Sequence, residues 1–192
     1  QWRKELQEID TLCSRTEHSN AIVAIGECGL DFHHPGYDAE EQKAVFQEQI
    51  ELALSHDLPI IVHSRKATEA SLQVIEPYLQ DGIRGIIHCF NGDTSLAQDI
   101  YNRFGFYIGI GGPVTYPKND TLRAAVNTIG LDGIVLETDA PFLPPQIIRG
   151  KRNYPSYIKT IAEEISNVVE LPLNEVATRT TQNVNNLFNI AV

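Results

Sequence analysis

The residues able to do chemistry in this chain stand where apolar runs give way to polar ones. Gly133 to Pro141 reads GIVLETDAP, a short apolar run that delivers two carboxylates, Glu137 and Asp139, two positions apart. Residues i and i+2 of a strand point to the same side, so the spacing predicts that both acids face one site. Three further apolar runs end alike: Ala21–Gly26 leads to Glu27, Pro59–Val62 leads to His63, and Ile83–Cys89 carries His88 near its end.

Glu27, His63, His88 and Asp139 together make a set of two imidazoles and two carboxylates. Such a set suits Zn²⁺, Mn²⁺ or Mg²⁺ and differs from a soft thiolate site. A divalent ion held there would lower the pKa of a bound water and polarise a phosphoryl or carbonyl oxygen. Any one of these residues alone has an ordinary explanation, as a helix cap or a hydrogen-bonded histidine. Four of them at four strand ends would need four such explanations. Cys28 and Cys89 each follow a ligand directly, so strand alternation predicts that both turn away as small buried fillers. His18, His33, His34 and His56 read as solvated. Arg65, two residues past His63, can reach a bound anion, and Arg149, Lys151 and Arg152 form a basic run after the acidic strand.

The elements that must position these residues follow from periodicity. Helices are predicted from Trp2 to about Arg15, from Asp38 through Leu54, near Thr68–Gln80, at Thr94–Phe104 and at about Asp120–Ile129. Two more follow Pro155 and Pro172. Between them lie five short, largely apolar strands, with Phe106–Ile110 as the fourth. Buried strands alternating with helices predict an α/β protein with a parallel sheet. Ligands at the ends of several different strands favour a closed (β/α) barrel of the TIM type, which converges those ends on one mouth. Ala140–Tyr154 reads as a long, proline-rich irregular stretch.

Composition narrows the function classes. The formal net charge of −10 excludes a surface built for nonspecific nucleic-acid binding, so a nucleic-acid substrate needs a local basic patch or a metal. No apolar run approaches a membrane span. Three unpaired-looking cysteines argue against a disulfide framework and for the reducing cytoplasm. There is no methionine, and the chain opens Gln1-Trp2, which reads as a piece of something longer or a processed chain.

GECGLD (Gly26–Asp31), PIIVHSRKATE (Pro59–Glu69), IIHCFNG (Ile86–Gly92), LETDAP (Leu136–Pro141), RGKRN (Arg149–Asn153) and the terminal NVNNLF resemble the TatD family of metal-dependent deoxyribonucleases. The likeness runs from about Ala21 to Phe188, and residues 1–192 read as one such hydrolase domain. It implies an amidohydrolase-like barrel and one or two divalent ions (Mg²⁺, Mn²⁺ or Zn²⁺) on Glu27, His63, His88 and Asp139. Asp139 would also take a proton from the attacking water, with Glu137 as a second acid, and Arg65, Arg149, Lys151 and Arg152 would hold substrate. The implied reaction is hydrolysis of phosphodiester bonds in DNA, from single strands or 3′ ends. The family's His-x-His pair is absent from all 192 residues. Aligned by motifs, the chain lacks the first one or two strands. The expectation is one metal at most, reduced or absent activity, and self-association through the open edge of Ala21–Gly26. The rival readings are a barrel hydrolase of a small ester, amide or phosphoester, and a catalytically inactive fragment.

Overall fold

The computed structural model describes residues 2–15 and 21–190, so His18 lies outside the described residues. Twelve helices and strands run in the order α1 (Trp2–Cys13), β1 (Ile25–Asp31), α2 (Ala39–Ser55), β2 (Ile60–Arg65), α3 (Thr68–Ile75) and β3 (Gly85–Ile87). There follow α4 (Thr94–Asn102), β4 (Tyr107–Ile110), α5 (Asp120–Ile129), β5 (Ile134–Leu136), α6 (Ile158–Val169) and α7 (Leu173–Phe188). The alternation is the α/β pattern expected. Contacts group the chain into two compact units, one from the start to Ile86 with Leu187–Ile190, the other covering Ile87–Asn186.

In the first unit the strand order is β1-β2-β3, and β1 pairs with β2 in parallel. The pairing corrects the expected first strand. Ala21–Ala24 precedes it, and the strand itself runs on through the polar GECGLD to Asp31. Apolar content marks the core, but the hydrogen-bond ladder with β2 marks the strand. Glu27 therefore lies inside β1, at a bulge between Gly26 and Cys28, and not at a strand end. Asp38 caps α2 as predicted, its Oδ1 accepting from the Glu40 and Glu41 amides at 3.0 Å each. Phe46, Ile50 and Ala53 of that helix are fully buried with Leu30, Ile60 and Val62 of the strands. The Thr68–Gln80 helix breaks at Ile75, where Pro77 enters and the chain tightens into a 3₁₀ stretch over Glu76–Asp81.

In the second unit β4 pairs with β5 in parallel, Gly109 opposite Val135. Ile108, Ile110 and Ile134 are fully buried, as parallel strands covered on both faces require. The α5 boundaries match the periodicity, and Gly130, at φ +67°, ends the helix. β3 stops at Ile87 and β5 at Leu136, each earlier than its apolar run suggests. Two buried asparagines brace the three residues of β5. Asn183 of α7 donates to the Leu131 and Ile134 carbonyls at 2.7 Å each, and Asn153 donates to the Thr138 carbonyl at 2.6 Å. Asn183 thus ties the residues just before the strand to its first residue, and Asn153 ties the turn beyond its end.

Candidate metal and hydrolytic site

In the second unit the site is built on His88, one residue past β3. Glu137 Oε2 lies 2.8 Å from His88 Nδ1, and Glu137 Oε1 accepts from the Cys89 amide at 2.6 Å. A carboxylate only accepts, so this contact places a proton on Nδ1 and leaves Nε2 of the neutral ring as the acceptor. Asp139 Oδ1 stands 3.6 Å from that Nε2. All three side chains are well covered, His88 being only 12% exposed. Glu137 and Asp139 thus both serve His88, but from opposite edges of the ring. The strand-alternation argument for them fails, because β5 ends at Leu136 before either acid.

Glu137 reaches His88 across β4, and Gly109 is what allows it. A Cβ at Gly109 would collide with the Glu137 carboxylate. Cys89 and Asp139 occupy left-handed backbone, with φ of +49° and +53°. Such conformations cost a non-glycine residue on the order of 1 kcal/mol each. The Glu137 bond to the Cys89 amide holds the first, and the Phe142 amide donating to the Asp139 carbonyl at 2.7 Å holds the second.

Cys89 does not turn away from the site. His88, Cys89 and Asp139 each offer one ligand-type atom, all within 4.8 Å of one another. The alternation rule does not reach Cys89, which lies beyond the end of β3 in a turn. Cys28, inside β1, does obey the rule: it is buried, its Sγ 3.6 Å from the Ile61 carbonyl, and burial pushes its thiol pKa up to about 12.

In the first unit His63 sits opposite Gly29 in the β1–β2 register. Gly29 has φ +136°, and a Cβ there would strike the His63 carbonyl. Glu27 and Asp31, two residues to either side of Gly29, flank the imidazole. Glu27 Oε2 is 3.7 Å from Nδ1, and Asp31 Oδ2 is 3.3 Å from Nε2. Asp31 escaped the sequence reading as a site residue. Its signal was the i, i+4 spacing from Glu27, which shares a strand face once the strand is carried past Gly26. Gln42 of α2 fixes Asp31 by pairing both its backbone groups, at 2.7 and 3.0 Å. Burial would raise the Asp31 carboxyl pKa, but the His33 amide at 2.8 Å, His63 and the charge of Arg65 together bring it below its ordinary value. Arg65 is exposed, and its charge also lowers the pKa of exposed His33. His34 is exposed as expected, whereas His56 is not merely solvated: its Nε2 lies 2.7 Å from Asp10 Oδ1.

Of the basic run, Arg149 stacks on the Tyr116 ring at 4.1 Å, while Lys151 and Arg152 are exposed. The donor chemistry fits a divalent ion. The second unit offers an imidazole nitrogen of set tautomer, a carboxylate and a thiol; the first offers an imidazole between two carboxylates.

This geometry agrees with what the chain is related to. It belongs to the TatD family: the family model described as TatD related DNase matches residues 1–189. It is 42% identical over 169 residues to the uncharacterized metal-dependent hydrolase YabD of Bacillus subtilis (strain 168), covering 88% of this chain and 66% of that protein. It is 33% identical over 196 residues to the 3′-5′ ssDNA/RNA exonuclease TatD of Citrobacter koseri, covering 100% of this chain and 74% of the relative. Among solved structures it is similar to YJJV, a TatD homologue from Escherichia coli K12, with a TM-score of 0.89 and 28% identity. That likeness covers 97% of this chain and 70% of that one. The fold is therefore the α/β fold of a TatD homologue, of the TIM-barrel type expected. The chain spans just short of two thirds of YabD's length. No helix among the described residues is long and apolar enough to cross a membrane.

Proposed function

We propose that the protein is a metal-dependent hydrolase that cleaves phosphodiester bonds of DNA, working from 3′ ends of single strands as one hydrolase domain. The observation that carries this reading is the clamp on His88. Glu137 fixes the proton on Nδ1, so Nε2 is turned, ready to ligate, toward the group that includes Asp139. We assign Glu27, His63, His88 and Asp139 as ligands of one or two divalent ions, Mg²⁺, Mn²⁺ or Zn²⁺. When bound there, such an ion would lower the pKa of a water and polarise a phosphoryl oxygen. Asp139 would accept a proton from the attacking water, and Glu137 acts through His88 as a positioning residue.

Arg65 and the basic run Arg149, Lys151 and Arg152 hold the phosphates of the substrate. They give an acidic chain the local positive charge that a nucleic acid requires. The names of the TatD relatives, which specify single-stranded DNA and RNA, support a nucleic-acid substrate. A reducing, cytoplasmic setting belongs to the same reading, with all three cysteines free.

The test is metal-dependent release of nucleotides from single-stranded DNA and RNA, with Asp139→Asn and a chelator as controls. Release that both controls abolish upholds the reading. A folded chain that hydrolyses small esters but no nucleic acid with metal present overturns the substrate class. One that turns over nothing overturns the activity.

A further inference from the structure

The stretch after Asp139 shows apolar surface that a folded chain ordinarily buries. Phe142 is 68% exposed, Ile147 77% and Tyr154 53%. Scattered exposed apolar residues need no explanation, but three fall within 13 positions of one loop, and Asn153 holds the Phe142 and Tyr154 backbones close to each other. The loop is rigid because its backbone is tied down at many points. Asn153, 1% exposed, donates to the Thr138 and Phe142 carbonyls at 2.6 and 2.7 Å, and its own carbonyl oxygen accepts from the Tyr154 amide at 2.9 Å. The Tyr116 hydroxyl donates to the Pro144 carbonyl at 2.9 Å, and Thr115 Oγ1 accepts from the Gln146 amide at 2.8 Å. One buried side chain thus fixes the main chain at both aromatic positions and leaves their rings outside.

Charge identifies what such a patch is for. No acidic residue occurs between Asp139 and Glu163, although the chain as a whole carries −10. The same stretch holds Arg149, Lys151, Arg152 and Lys159. Arg149 is drawn back over the Tyr116 ring, and Lys151 and Arg152 stand exposed, without an ion pair among the described residues. Flat aromatic faces beside unpaired cations match the chemistry of unstacked bases on a phosphate backbone. A duplex keeps its bases stacked on each other and presents none to Phe142.

We propose that the Ala140–Tyr154 loop is a platform for single-stranded nucleic acid. Phe142 and Tyr154 stack bases, and Lys151 and Arg152 contact phosphates. This rests on the nucleic-acid reading above and adds to it the side chains that would recognise an unpaired strand, Phe142 and Tyr154, through base stacking.

Binding is measured by fluorescence anisotropy in chelator, where no hydrolysis occurs. The probes are a labelled oligothymidylate, an abasic oligonucleotide of the same length and a duplex. Phe142→Ala and Tyr154→Ala each weaken oligothymidylate binding about 5- to 150-fold, the value of one stacked base, and leave abasic binding unchanged. Lys151→Ala and Arg152→Ala weaken all probes and each lower the salt slope by about one. Both aromatic side chains are exposed, and an unchanged melting temperature confirms that the variants fold. Wild-type and aromatic variants binding alike overturns the platform, and if metal-dependent hydrolysis persists the nucleic-acid reading stands without it. Phe142→Ala changing sedimentation but not DNA binding overturns it in favour of contact between copies of the chain. Base-dependent binding without hydrolysis upholds the platform and overturns the catalytic reading alone.

Discussion

The two units each hold one histidine between two acids, and they hold it differently. His88 is 12% exposed, with Glu137 at 2.8 Å on one nitrogen and Asp139 at 3.6 Å from the other. His63 is 38% exposed, and its acids stand off at 3.3 and 3.7 Å. In the second unit the anchoring carboxylate also grips the main chain at Cys89, so ring, tautomer and turn are set together. In the first, Glu27 is half-exposed at a β-bulge and Asp31 is held through its backbone by Gln42. A closely held histidine and a loosely held one result from similar residues. The difference lies in what the neighbouring acid is itself bound to.

Changes to the closely held cluster should therefore cost more than changes to the loosely held one. On the proposed reading, Asp139→Asn removes metal-dependent hydrolysis to background in a nucleotide-release assay, since it would take away a proposed ligand and proton acceptor together. Glu137→Gln weakens metal affinity by about 10- to 100-fold, measured by calorimetry, because the group orienting His88 loses its charge. Gly109→Ala pushes on the Glu137 carboxylate. It lowers stability by about 1–3 kcal/mol in denaturant unfolding and carries part of the Glu137→Gln defect with it.

Asp31→Asn in the loosely held cluster has a smaller effect on metal affinity, and its signature is in pH. A carboxyl whose pKa is lowered by folding adds stability above its unfolded pKa and loses it as pH falls through the folded value. Wild type should thus exceed Asp31→Asn in stability at neutral pH, and the two should converge in acid. Unfolding curves across that range would show whether the gap closes. The smallest effect is a labelling contrast: a thiol reagent at neutral pH modifies Cys89 and spares Cys28, and divalent metal slows the reaction at Cys89. Equal labelling of the two would erase the distinction drawn between turn and strand.

Most helices were legible because capping and periodicity are local, although Pro77 ended the expected Thr68–Gln80 helix at Ile75. Asp38 capped α2, and α5 began and ended where the pattern predicted. Strand ends were not, because they are set by a partner strand. The run AIVAIG looked like β1, yet the ladder with β2 lay over GECGLD, and Asp31 went unnoticed as a result. The residues of metal-binding type were legible as types, but their partnerships were not. That Glu137 belongs to His88 depends on Gly109 leaving room across β4, and that Cys89 faces the cluster depends on a positive φ that no spacing rule carries.

The bracing of β5 also bears on how the protein is made. Asn183 satisfies carbonyls 52 and 49 residues upstream, at Leu131 and Ile134. During synthesis those oxygens wait for α7 to emerge. The strand that leads to Glu137 and Asp139 is secured only once α7 has followed it out, so the acids that define this cluster settle later than their own place in the sequence suggests.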